Sequence, residues 1–102
     1  MDSDEAIGVS RRLLAHDENH GYDELAWSLR VAAEARAAAG RFDAAVDALR
    51  GLQDLATEHP SALRAQLVWE SFAETQRQAS SSGGGQVLTA AWQRATGEPF
   101  PG

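Results

Sequence analysis

The chain contains no cysteine, and all nine of its basic residues are arginine. The missing cysteines exclude disulfides, thiolate zinc sites and cysteine nucleophiles, and they fit a reducing, cytoplasmic setting. No run approaches the ~20 apolar residues of a membrane span. The first twenty residues lack the long apolar stretch of a secretory signal, so no targeting segment is expected. β-branched residues are few and never alternate over a strand length. The 102 residues suffice for one small domain with a modest core.

What is present is acidic and helical. The net charge is −6. Residues 1–24 carry most of it, and the rest of the chain is nearly balanced. Nucleic-acid binding needs clustered positive charge. Arg11–Arg12 is the one adjacent basic pair and sits among acids, so no nucleic-acid partner is expected. Alanine supplies about a fifth of the residues and is the strongest helix former.

The apolar periodicity predicts an all-α chain of four to five helices. A first helix is expected from Ser3 to His16, capped by Ser3, with Asp4 and Glu5 favoured by the helix dipole. Gly21 is read as ending that region. A second helix is expected over Asp23–Ala39, stopped by Gly40, and a third over Phe42–Thr57. In the third, Phe42, Ala45, Val46, Leu49, Leu52 and Leu55 follow three-and-four spacing. Gly51 within it suggests a close helix crossing. Pro60 disfavours a helical His59, and Ser61 is placed to cap a fourth helix. By composition, residues 80–85 ("SSSGGG") read as a flexible linker. A short C-terminal helix over 86–96 and an irregular tail over 97–102 follow, leaving residues 1–79 as the helical domain. Turns this short make successive helices antiparallel neighbours.

Residues 29–52, "LRVAAEARAAAGRFDAAVDALRGL", resemble a tetratricopeptide repeat. Leu29, Ala32 and Ala33, then Gly40, Phe42, Ala45, Leu49 and Leu52, stand where that family places its large, small and turn residues. Arg36 departs from the pattern, standing where an aromatic is usual, which weakens packing there or implies a partner for its guanidinium. The stretch 39–67 is further similar to the helical repeat domain of bacterial transcriptional activators. The resemblance implies antiparallel hairpins stacked in a right-handed array, and a non-enzymatic role in protein–protein interaction. It also implies a groove-facing side carrying Trp27, Arg30, Glu34, Ala37 and Ala38, which would hold a partner segment or a second copy. Such repeats do not bury their apolar faces alone, so the C-terminal helix could close the stack in cis or by exchange within a homodimer. An accessory role in transcription, through protein contacts, is the alternative.

Residues 16–21, "HDENHG", invite a metal reading, because His16 and His20 are four apart. A metal centre needs at least three protein ligands and a helix continuing through both histidines. Asp17 stands where the zinc-protease pattern has Glu, and Gly21 suggests a helix end. A metal-dependent enzyme is therefore the remote reading. No serine lies in a nucleophile elbow, and "SSSGGG" lacks the lysine and strand of a phosphate loop. No catalytic residue, metal ligand or cofactor is expected. Trp27, Trp69 and Trp92 are expected to be partly buried in the core.

Overall fold

The computed structural model describes residues 18–101. Within them the chain forms four helices and no strand: α1 (Glu18–Ala38), α2 (Phe42–Glu58), α3 (Ala62–Ser81) and α4 (Gly85–Thr96). The expected helix over Ser3–His16, with Arg11–Arg12 and His16, lies outside the described residues.

Each turn has a local cause. At the end of α1, Gly40 adopts φ 76°. The Arg41 N–H donates to the Arg36 carbonyl (2.8 Å) and the Gly40 N–H to the Ala37 carbonyl (3.1 Å). That pair of bonds closes a helix on a left-handed residue, a conformation glycine adopts without a Cβ penalty. The Arg36 guanidinium, departing from the repeat pattern, donates to the Ala44 carbonyl across the turn (3.0 Å). Ser61 caps α3 as expected, its hydroxyl accepting from the Arg64 N–H (3.0 Å).

Two expectations about glycine give way. Gly21 does not end a helix; it lies near the start of α1, which runs on through it. Side chains immediately after it hold that turn down. The Tyr22 ring stacks on His59 at 3.8 Å, and Asp23 accepts from Arg64 (2.9 Å). Tertiary contacts of this kind outweigh the ~1 kcal/mol that a helical glycine costs. The segment 80–85 is likewise not an extended linker. Ser80 and Ser81 complete α3, Gly83 takes φ 78°, and Gly85 already belongs to α4. The Gly84 N–H donates to the Ala79 carbonyl (2.8 Å), repeating the closure seen at Gly40. Gly84 is buried against the Phe42 ring, where an added Cβ would meet ring carbon at 2.0 Å.

The helices pack by their small and apolar faces. α1 lies against α2 and α3, and α4 lies against the same two helices. One cluster gathers Ala33, Ala37, Val46, Leu49, Phe72, Leu88 and Trp92; a second gathers Ala26, Leu52, Leu55 and Leu67. α4 folds back on its own chain, burying Leu88, Ala91 and Trp92. Beyond α4, Phe100 returns to the core, its ring 5.3 Å from Phe72 and 5.8 Å from Trp92. Phe72 and Trp92 meet edge-on at 4.9 Å.

Candidate groove between α1 and α3

Two ion pairs join α1 to α3: Asp23 with Arg64 at 2.9 Å, and Arg30 with Glu70 at 2.7 Å. Their sequence separations are nearly equal, so the two helices run parallel, one beside the other. Between them a cavity of about 380 Å³ opens to solvent, lined by Arg30, Glu70, Ala73, Glu74 and Arg77.

Arg30 organises this groove. Its Nε donates to Glu34 one turn along α1 (3.0 Å), and its Nη1 donates to Glu70 on α3. The Trp27 ring lies under the guanidinium, 5.3 Å from centroid to charge. Burial pulls the Arg30 pKa down, but hydrogen bonds and charge from Glu34 and Glu70 outweigh it, and the net shift is upward. Glu70 accepts from the Gln66 amide (3.0 Å) as well as from Arg30, and these two bonds hold its carboxyl below the usual carboxylate range. Arg77 pairs with Glu74 farther along α3. The site is thus a charged lattice in which each cation is held by carboxylates, with an exposed indole at one end.

The five residues expected on this surface do not stay together. Trp27, Arg30 and Glu34 share one side of α1, and Trp27 is 54 % exposed. Ala37 is fully buried in the core and faces no partner. It lies one turn past Ala33, on the strip that packs inward, and a repeat pattern read without the packed helices does not separate inward from outward alanines. Ala38 is exposed, on the outward side of α1. Glu70, Glu74 and Arg77 were not singled out from the sequence. Only the packing of α3 beside α1 brings them to the groove, although Glu74 and Arg77 at i, i+3 are a local sign of an exposed paired face.

The tryptophans divide. Trp92 is 1 % exposed and central to the core, but Trp69 is 65 % exposed and, with Trp27, corrects the expectation of burial. Neither indole faces another helix, because the inward strips of α1 and α3 are occupied by smaller residues such as Ala26, Ala33, Leu67 and Ser71.

Of the histidine pair, His16 lies outside the described residues. Among the described residues no cluster of three His, Asp or Glu side chains is arranged to hold a metal ion. No described helix is long and apolar enough to cross a membrane. Comparison with family models, curated proteins and solved structures finds no match to this chain.

Proposed function

We propose that this chain is a non-enzymatic, cytoplasmic interaction module, a short tetratricopeptide-like right-handed array that docks a protein segment in the groove between α1 and α3. The observation that carries the reading is the arrangement around Arg30. A solvent-open groove has an arginine at its centre, bridging Glu34 and Glu70, with the exposed Trp27 beside it. Trp and Arg are the residue types that most often anchor interfaces. An extended or helical segment would lay apolar side chains against Trp27 and exchange hydrogen bonds with the Arg30–Glu70 pair.

The test compares the wild type with Arg30→Ala and Trp27→Ala, each checked for helicity by circular dichroism. Folded variants that lose bound partner or self-association support the reading. Folded variants that keep both undamaged overturn it.

A second reading is an accessory role in bacterial transcription through protein contacts, which rests on the similarity of residues 39–67 to activator repeat domains. Measurable affinity for duplex DNA at physiological salt would count against it, since the chain's net charge of −6 opposes phosphate binding. A metal-dependent enzyme using His16 and His20 stays remote. Zinc retained through purification and lost in His16→Ala would bring it forward.

A further inference from the structure

α4 ends in a left-handed turn at Gly97 (φ 74°), whose N–H donates to the Gln93 carbonyl (2.8 Å). Glu98 is tied by its N–H and its carbonyl to the Thr96 hydroxyl (3.2 and 3.4 Å). Beyond it, Pro99, Phe100 and Pro101 make no hydrogen bond with the described residues. The two prolines have no N–H to donate, and their fixed φ stiffens the segment. Phe100 is its anchor. Half-buried, that ring meets Phe72 and Trp92 edge-on, in addition to the edge-on pair those two make with each other. Phe72 and Trp92 are each 1 % exposed and are held in place by α3 and α4.

We propose that residues 97–101 form a strap that lifts from the helices as a unit, hinged at Gly97 and Glu98, while the four described helices stay folded. Lifting uncovers the edge of the Phe72–Trp92 pair, which the chain's own Phe100 otherwise covers. The strap meets α3 and α4, and none of its residues lines the groove between α1 and α3, so the inference is independent of the docking reading.

The energetics favour a separate motion. Opening withdraws part of one ring from apolar contact and breaks none of the hydrogen bonds of the helices. It also returns backbone freedom to the released residues. Segments with few buried contacts and few hydrogen bonds open well below the free energy of global unfolding. The open strap is therefore a minor conformer, populated to about 10 % or less. It presents an aromatic edge that the closed form hides, so the strap sets how much of that edge the surface shows.

Trp92 reports on the strap once the two exposed indoles are removed by Trp27→Phe and Trp69→Phe. In that background acrylamide reaches Trp92 through the open strap, so the quenching rate follows the open fraction. Phe100→Ala leaves the edge permanently uncovered. It should raise the quenching rate about tenfold or more, the inverse of an open fraction of about 10 % or less, with helicity by circular dichroism unchanged. With Phe100 intact, quenching should climb at urea concentrations where helicity is still full, whereas a single cooperative transition makes the two probes coincide. Coincident urea curves would overturn the proposal. So would a Phe100→Ala variant that has lost its helicity, or one whose Trp92 is quenched no faster than before.

Discussion

At Gly84 a single hydrogen atom decides the packing of two helices. A Cβ there would stand 2.0 Å from the Phe42 ring, and Phe42 opens α2 while Gly84 precedes α4. The atoms it would meet belong to the Phe42 ring, which is packed against the core and must shift to make room, so Gly84→Ala is expected to cost roughly 1–3 kcal/mol, read as a lower urea midpoint. Gly51 offers the opposite case. Its Cβ would meet the Leu29 side chain at 3.4 Å, an ordinary contact, and its backbone is helical. Gly51→Ala should therefore stabilise by up to ~1 kcal/mol, the helix-propensity gain, in the same unfolding assay. Both glycines stand out in the sequence, but only one was legible. Gly51 interrupts a periodic apolar pattern, which suggests a close helix crossing; Leu29 does lie against it, but at a distance that leaves room for a Cβ, so the crossing does not require glycine. Gly84 sits in a run of serines and glycines, where composition suggests a tether. The partner that makes it indispensable, Phe42, is 42 residues away and invisible to any local pattern.

At the scale of elements, α1 and α3 are stitched by their ion pairs, and the two stitches differ in environment. Arg64 is 3 % exposed. Its guanidinium donates to the carbonyls of His59 (2.5 Å) and Pro60 (3.5 Å) as well as to Asp23, and it lies 5.5 Å from the Tyr22 ring. Arg64→Ala would leave two carbonyls and a carboxylate unpaired beside a cavity. Losses of about 3–5 kcal/mol attend the breaking of such buried pairs, and the partial exposure of Asp23 places this case toward the lower figure. The expected signature is a large fall in thermal midpoint together with loss of the near-ultraviolet signal of Tyr22. The groove pair answers to pH instead. Glu70 is held below the ordinary carboxylate pKa by Gln66 and Arg30, so its folded state binds the proton less readily than the unfolded chain does. Its contribution is complete above the ordinary carboxylate value and is lost as pH falls through the lower folded value. Carboxyl chemical shifts should place the Glu70 midpoint below that of an exposed glutamate, and Arg30→Ala should move it back upward. The hairpin of α1 and α2 was legible because small residues, a turn glycine and a three-and-four apolar pattern agree over residues 29–52. The groove was only half legible. Trp27, Arg30 and Glu34 share a turn of one helix, whereas Glu70 reaches them only through the lateral packing of α3.

For the molecule as a whole, the decisive fact is how little interior the four described helices enclose. Among the described residues two small clusters make the core, and alanine supplies much of the first. A domain of this size buries only about two-thirds of its unfolded surface, so each large side chain carries an unusual share of the total stability. The sequence tail "EPFPG" reads as irregular, and its described residues, 98–101, are not helical. Yet Phe100 within it closes the open end of the core, touching both Phe72 and Trp92 edge to face. The prolines on either side restrict the backbone that delivers the ring, which lowers the entropy lost when it docks. Phe100 is only partly buried, so Phe100→Ala forfeits less than a fully enclosed phenylalanine would: about 1–2 kcal/mol from lost apolar burial and aromatic contact. For a domain of about 100 residues that corresponds to a fall in thermal midpoint of roughly 4–16 °C. The same substitution should shift the emission of the buried Trp92 to the red, while Trp27 and Trp69, already in solvent, stay unchanged. A variant that keeps both its melting temperature and its Trp92 emission would show that the four helices close their core without the tail.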